Sequence, residues 1–197
     1  MLFKLGARGT GLTWNFDTRF AASCMSKRDY GLTGEGERLV EEANEMGVIL
    51  DLAHASKNTM LATLEHSKRP VMISHANYSG VHKRTRNVDD DVLEKLRQNH
   101  GVIGFTMITD TIGPSPGIDG LAKHIMAVRE RYGTDILAIG TDYLGIILRP
   151  AGLEDVSKLG DLFSRLAALG MSSDEIRKLA WQNAYRVFKE NSQKWPS

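Results

Sequence analysis

Five strand-like runs recur along the chain, most of them short and rich in β-branched or aliphatic residues. Between them lie stretches in which apolar residues recur every three or four positions, the period of an amphipathic helix. Strands that alternate with helices in this way are typical of βα units around a parallel sheet. The pattern predicts strands at residues 6–12, 48–52, 71–75, 102–107 and 136–142.

Polar residues that cap helices, and glycines that end them, mark the helices of the chain. We predict helices at residues 33–47, 56–67, 89–101, 118–132 and 154–169. Ser172 and Glu175 have the spacing of a capping box, which predicts the start of a last helix. Its apolar residues fall at helical spacing and predict a stripe that faces the core, made of Ile176, Leu179, Ala180, Ala184, Val187 and Phe188.

The number of strands limits the possible folds. A complete (β/α)₈ barrel takes about 250 residues, whereas this chain has 197. We therefore predict an α/β fold: a partial (β/α) TIM-type barrel of about five parallel strands with helices, without the N-terminal strands, forming one incomplete domain over residues 1–197. An open five-stranded α/β sheet is the alternative, although no glycine-rich phosphate loop marks a nucleotide site.

Three of the predicted strands end on side chains that bind metals. His54 and His75 lie at the ends of two apolar runs, and Asp142 ends a third. One histidine beside a strand is more often a structural residue than a ligand. Because the C-terminal ends of parallel strands form one face, where barrel enzymes hold their metals, the repetition favours a metallohydrolase. The other histidines lie in helical or polar stretches and are expected to be solvated or capping: His66, His82, His100 and His124.

Charge and cysteine content exclude some partners. The chain has 25 basic and 24 acidic side chains, for a net charge of +1, so we predict neither a nucleic acid nor a membrane surface as partner. Cys24 is the only cysteine, which excludes an intrachain disulfide and predicts the cytoplasm. No apolar segment reaches the ~20 residues that span a bilayer, and the N-terminus does not resemble a signal peptide.

Several motifs and their spacing resemble the C-terminal portion of the membrane (renal) dipeptidase family of zinc metallopeptidases. The match runs over nearly the whole chain. It rests on the stretches Gly31–Gly47, Asp51–Ser56, Pro70–His75, Arg86–Asp91, Gly140–Asp142, Gly152–Ser157 and Asn183–Val187. The resemblance implies a barrel scaffold, a dipeptide as substrate and two zinc ions in the complete family site, of which we expect this chain to hold one or none.

The resemblance also implies roles for single residues. His54 and His75 match the two histidines that bind the second zinc. Asp142 matches the aspartate that hydrogen-bonds the metal-bridging hydroxide and moves its proton. Arg86 matches the arginine that holds the substrate or the tetrahedral intermediate, although without the motif it reads as a surface arginine. The implied reaction is hydrolysis of a dipeptide by a metal-activated hydroxide.

Three departures from the family pattern bear on that function. The first departure concerns metal ligands. No His-x-Asp pair, which the family has on its first strand, occurs in this sequence. The metal-bridging glutamate of the family's third strand is also missing, since we expect the chain to start downstream of those strands. Where the family has Leu-Thr-His-Asn, this chain reads Leu12-Thr13-Trp14-Asn15, so Trp14 replaces a substrate-binding histidine; we expect Trp14 and Asn15 to line the substrate site. The family's Asp-Phe-Asp-Gly motif after the last strand is here Asp142-Tyr143-Leu144-Gly145, so the second acidic residue of the motif is missing.

Two functions are consistent with this pattern. The first is a zinc dipeptidase, in a truncated or split form. The second is a catalytically inactive homologue that acts as a binding or scaffold protein. A partial barrel would expose two strand edges, which promote association. We therefore expect a homo-oligomer or a complementing N-terminal fragment.

Overall fold

A parallel sheet forms the centre of the structure, a computed structural model that describes residues 2–195. Met1, Pro196 and Ser197, the ends of the predicted domain, lie outside the described residues. Within them the sheet has five strands in the order β1-β2-β3-β4-β5, and each strand pairs in parallel with its neighbour in sequence. The strands are β1 (Gly9–Gly11), β2 (Ile49–Asp51), β3 (Met72–Ala76), β4 (Val102–Phe105) and β5 (Leu137–Ile139).

The strand order distinguishes between the two predicted architectures. A doubly wound sheet reverses its strand order at a switch point, whereas a barrel adds each strand beside the previous one. The observed order runs in one direction without a reversal. The prediction of a partial barrel with about five parallel strands is therefore confirmed, and β1 and β5 form the edges of the described sheet.

Helices connect the strands, and successive helices pack against one another: α1 on α2, α2 on α3 and α5 on α6. Short 3₁₀ turns cover Leu2–Leu5 and Val156–Lys158, and a π-helical turn at Lys178–Gln182 joins the last two helices. The helices are α1 (Gly34–Met46), α2 (Lys57–His66), α3 (Asp90–Gln98), α4 (Thr109–Ile112), α5 (Ile118–Tyr132), α6 (Leu159–Ala168), α7 (Ser173–Arg177) and α8 (Asn183–Ser192).

Three of the predicted helix starts are confirmed by their caps. The hydroxyl of Thr33 accepts a hydrogen bond from the Gly36 amide, and that of Ser56 accepts one from the Thr59 amide. Ser172 and Glu175 form the reciprocal bonds of a capping box. Each cap satisfies a backbone N–H that the first turn of a helix leaves free, so these positions begin helices through local chemistry alone.

Two helix predictions near the C-terminus are wrong in their details. The helix predicted from residue 154 begins only at Leu159, because the Asp155 carboxylate accepts the Ser157 amide and holds a 3₁₀ turn first. In the last helix, the π-helical turn inserts an extra residue and rotates the positions that follow. Leu179 and Val187 of the predicted core stripe are fully buried, whereas Phe188 is 45% exposed.

The expectation that all four remaining histidines are solvated or capping is wrong for His124, which is fully buried. Its Nδ1 accepts the Tyr78 amide at 3.1 Å, and its Nε2 contacts the Ile112 carbonyl at 3.0 Å. His124 lies on the buried face of α5, one helical turn after Leu121. His66 and His100 are exposed, as expected.

Candidate metal centre

One cavity of about 420 Å³ opens at the C-terminal ends of the strands. Strands β1, β2 and β3 contribute residues directly, and the segments that follow all five strands contribute the rest. The structure thus brings together side chains that are far apart in sequence, at the face where barrel enzymes hold their active sites. All six predicted site residues line this cavity: Trp14, Asn15, His54, His75, Arg86 and Asp142.

The two histidines point their Nε2 atoms at each other. The distance from His54 Nε2 to His75 Nε2 is 3.1 Å, and the rings meet edge to face. Two imidazoles on one tetrahedral zinc, with Zn–N bonds near 2.0–2.1 Å, have ligand nitrogens about 3.3 Å apart. The pair therefore fits the spacing of two ligands on a shared cation.

The chain reaches His54 through a strained backbone. Its φ angle is +67°, and among residues 2–195 only His54, His100 and Asp142 combine a side chain with a positive φ. Non-glycine residues in this region of φ/ψ space store strain, which concentrates at functional sites. Two of the three strained positions belong to this cavity, at the turns that follow β2 and β5.

A β-bulge presents His75 to the cavity. In the pairing of β3 with β4, Ser74 and His75 together oppose the single residue Gly104. A bulge of this kind can re-aim a side chain beside an active site. Glycine is required opposite it: a Cβ atom on Gly104 would lie 2.2 Å from the Ser74 carbonyl oxygen, and one on Gly140 would lie 1.8 Å from it.

Each imidazole has a hydrogen-bond partner on its other ring nitrogen. His54 Nδ1 contacts Asn15 Oδ1 at 2.9 Å, and His75 Nδ1 contacts Ser74 Oγ at 2.7 Å. Ser74 in turn donates to Asp51 Oδ2 at 2.6 Å. Such contacts orient metal-binding histidines in proteins. Asp51 and Ser74 were not among the predicted site residues, although two polar residues within apolar strands are a signal for a polar site.

The cavity favours neutral imidazoles. Burial lowers the pKa of His54 to about 4, and the positive charge of Arg86 and the neighbouring His75 act in the same direction. Burial also lowers the pKa of His75, against the attraction of the Asp142 and Asp51 carboxylates. Since the pKa of each ring lies below the ordinary value near 6.5, both rings are neutral at neutral pH. Neutral imidazole is the form that binds a metal.

Arg86 carries an unsatisfied donor at the cavity. Its Nη2 atom is buried and has no hydrogen-bond partner among the described residues, and burial lowers the pKa of its guanidinium. The neighbouring Arg84 is exposed and pairs with Asp110 at 3.0 Å. A buried N–H group without an acceptor is costly. Arg86 is therefore the arginine of this loop that is suited to bind an anionic group in the cavity.

Trp14 and Asp142 complete the lining of the cavity beside the histidine pair. Trp14 lies in the turn after β1, and Asp142 lies in the turn after β5. A Cβ atom on Gly145 would lie 2.5 Å from Asp142 Oδ1, so glycine leaves the space that the carboxylate occupies. The Trp14 ring lies 5.9 Å from the His54 ring and is 61% exposed. Asp142 thus supplies a carboxylate, and Trp14 an apolar wall.

The described residues do not form a complete set of metal ligands. Over residues 2–195, no three His, Cys, Asp or Glu side chains are grouped closely enough to hold a metal ion together. Asp142 lines the cavity without completing such a group. A catalytic zinc ordinarily has three protein ligands, so the two histidines alone are too few for a catalytic zinc site.

The sequence profile of the membrane dipeptidase family, peptidase family M19, matches residues 1–195. The chain belongs to this family. The resemblance inferred from the motifs is therefore confirmed. Over the described residues, no helix is both long and apolar enough to cross a membrane.

Individual relatives show how much of such a protein this chain represents. An uncharacterized dipeptidase of Schizosaccharomyces pombe is 37% identical over 193 residues, and dipeptidase verJ of Clonostachys rogersoniana is 36% identical over 189. These matches cover 95% and 94% of this chain but 47% and 49% of the relatives. The chain therefore spans about half the length of these relatives.

A solved structure supports the same family and the barrel scaffold. A metallo peptidase from Rhodobacter sphaeroides, bound to a phosphinate mimic of the dipeptide L-Ala-D-Ala, superposes with a TM-score of 0.89 at 27% identity. The match covers 96% of this chain and 57% of that one. The five strands described above thus correspond to part of a larger, similarly folded protein.

The buried, unsatisfied Nη2 donor of Arg86 predicts a gain in stability when the guanidinium is removed. Arg86→Met replaces a partly buried charge with an apolar side chain of similar length, and we expect the free energy of unfolding to rise by about 1 kcal/mol. Urea denaturation of the ligand-free protein measures it. Arg84→Met, at an exposed pair, is the control and should stay within about 0.5 kcal/mol of wild type. A loss of stability in Arg86→Met beyond that of the control would contradict this account.

Proposed function

We propose that this chain forms part of a zinc metallodipeptidase and carries the histidine pair of one zinc site. The observation that carries the proposal is the 3.1 Å approach of His54 Nε2 to His75 Nε2 inside the strand-end cavity. The family supports dipeptide hydrolysis as the reaction, and the dipeptide mimic on the solved relative supports a dipeptide as substrate.

In this proposal His54 and His75 hold the zinc ion. Zinc, when bound, polarises a carbonyl group and acidifies a water molecule. Asp142 accepts the proton of the attacking water and returns it to the leaving amine, as a general base and then a general acid. The free Nη2 donor of Arg86 binds the negative charge that develops on the substrate oxygen.

Asn15 and Trp14 shape the substrate side of the cavity in this proposal. Trp14 forms a wall beside His54. Asn15, which the sequence analysis assigned to substrate alone, also contacts His54 Nδ1 through its Oδ1 atom. We infer that Asn15 orients His54 as well as lining the cavity.

A second candidate function is binding without turnover. The observation that favours it is the limited donor set, since the described residues bring two metal ligands together. In that case the cavity would hold a peptide through Arg86 and the histidines without hydrolysing it. Zinc content and hydrolysis, measured on the same sample, separate the two functions.

We also propose that a further polypeptide segment covers the open edges of the sheet. Large apolar side chains are exposed in the segments that follow the two edge strands: Trp14 and Phe16 after β1, and Leu144, Ile147 and Leu148 after β5. Because the relatives have about twice this chain's length, we favour a complementing N-terminal segment over a second copy. Such a segment could also supply the missing ligands. Cytoplasmic location stays a prediction from the single cysteine.

Removal of either histidine should abolish both zinc binding and hydrolysis. We expect His54→Ala and His75→Ala to lose bound zinc, measured by elemental analysis after dialysis, and to release no free amine from L-Ala-D-Ala. The fold should persist by circular dichroism, because both rings lie in the cavity. His66→Ala, on the exposed face of α2, is the control. Hydrolysis retained by either variant would show that the assigned roles are wrong.

Asp142→Asn should slow turnover more than it weakens zinc binding. The amide keeps the size of the carboxylate and tolerates the positive φ of this position, but it cannot take up the proton. We expect kcat to fall about 10²- to 10⁴-fold, with the zinc dissociation constant little changed. Parallel losses of turnover and of zinc affinity would instead identify Asp142 as a ligand.

The exposed edges predict association of the chain. In the absence of the complementing segment, the exposed apolar side chains should contact other copies of the chain. We therefore expect concentration-dependent species larger than the 21.8 kDa monomer in sedimentation velocity. Ile147→Ser should weaken this association, whereas Tyr185→Ser, at an exposed position of α8, should not. A chain that stays monomeric at all concentrations, alone and in cell extract, would contradict the proposal.

A further inference from the structure

Asp51 and Ser74 are polar side chains inside two of the apolar strands, and the mechanism proposed above does not use them. Asp51 ends β2, and Ser74 lies in the bulge of β3. Asp51 Oδ1 accepts the amides of Ala53 at 3.0 Å and Ser74 at 2.9 Å. Its Oδ2 atom contacts the Ser74 hydroxyl at 2.6 Å. The carboxylate is therefore fixed by three donors.

The position of the protons in this group follows from counting donors. Ser74 Oγ carries one proton and touches two possible acceptors, Asp51 Oδ2 at 2.6 Å and His75 Nδ1 at 2.7 Å. A contact of 2.6 Å between a hydroxyl and a charged carboxylate requires a proton between them, and a bond to a carboxylate is the stronger one. Ser74 therefore donates to Asp51. The contact with His75 then requires Nδ1–H as donor and Ser74 Oγ as acceptor.

The proton on His75 Nδ1 determines the state of the other ring nitrogen, Nε2. A neutral imidazole carries one N–H, so an Nδ1–H leaves His75 Nε2 with a free electron pair. His54 is arranged in the same way, since its Nδ1 faces the acceptor Asn15 Oδ1 at 2.9 Å. The Nε2 electron pairs of both rings therefore open onto the same space, with the nitrogens 3.1 Å apart, where a shared cation would lie. The bulge makes the arrangement possible, because in a regular strand Ser74 and His75 would point to opposite faces of the sheet.

We propose that Asp51 and Ser74 are positioning residues that hold His75 in its Nδ1–H tautomer and so keep Nε2 free as a ligand. That the ion bound by His75 Nε2 is zinc rests on the proposed function. The tautomer is a property of the metal-free chain and is tested without metal or activity.

The test is the ¹H–¹⁵N spectrum of the imidazole nitrogens in metal-free protein at neutral pH. Protonated and unprotonated ring nitrogens resonate far apart, and the loss of one set of signals in His75→Gln assigns the ring. We expect His75 in wild type to be the Nδ1–H tautomer. An Nε2–H tautomer in wild type would overturn the proposal without any further variant.

Variants of the two positioning residues complete the test. In Ser74→Ala we expect the His75 signals to move toward the Nε2–H tautomer, whereas Ser74→Thr keeps the hydroxyl and should keep the wild-type pattern. Asp51→Asn removes the charged acceptor and should shift the signals in the same direction as Ser74→Ala. Ser164→Ala, which removes an exposed hydroxyl on α6, is the matched control. A Nδ1–H tautomer that persists in Ser74→Ala would overturn the proposal.

Zinc affinity gives a second measurement on the same set. Loss of a residue that orients a metal-binding histidine typically weakens metal affinity about 10- to 100-fold, and we expect a change of that size in Ser74→Ala and a smaller one in Ser74→Thr. If wild type binds no zinc while His75 has the Nδ1–H tautomer, the proposed function fails and the positioning role stands. If zinc binds equally to wild type and to Ser74→Ala, with unchanged tautomers, the positioning role fails alone.

Discussion

The tight approach of β3 to the ends of β4 and β5 is the constraint on which the rest of the site depends. The Ser74 carbonyl lies so close to Gly104 and Gly140 that no side chain fits at either position. This packing accommodates the bulge in β3, and the bulge brings the Ser74 hydroxyl to 2.7 Å from Nδ1 of the cavity residue His75. Without it, the alternation of side chains along a strand would send one of the two to the opposite face.

The cavity holds several groups in arrangements that cost free energy. His54 and Asp142 adopt left-handed backbone conformations, and Arg86 keeps a buried donor without a partner among the described residues. Each feature opposes stability, and each lies where a ligand would meet it. The surrounding core offsets these costs through buried aliphatic residues that pack between the sheet and its helices, among them Ile73, Leu93, Ile103 and Ile125. A rigid scaffold that carries strained site residues is a common arrangement in enzymes.

The family membership and the fold together show which portion of its dipeptidase relatives this chain matches. It covers about half of its dipeptidase relatives and superposes on somewhat more than half of the solved structure. Within that portion lie the histidine pair, the carboxylate at 142 and the guanidinium at 86. The edge strands β1 and β5 border the side on which the remaining strands of a closed barrel would pair. The exposed apolar residues beside those edges are consistent with such a neighbour.

The sequence by itself determined the features that depend on local order along the chain. Capping residues set the starts of α1, α2 and α7, and apolar runs set β2 to β5, whereas β1 is the short segment Gly-Thr-Gly. The placement of His54, His75 and Asp142 at strand ends predicted their convergence, since parallel strands end at one face.

Only the tertiary structure decided the features that depend on contacts between distant segments. The bonds from Asp51 to Ser74 and from Ser74 to His75 follow from strand pairing and a bulge, neither of which a single sequence encodes in its spacing. The burial of His124 and of the Arg86 Nη2 atom likewise depends on which elements pack above them, although the family motif alone had already indicated Arg86. Local propensity acts over a few residues, whereas burial and hydrogen-bond partners depend on how segments distant in sequence pack against one another.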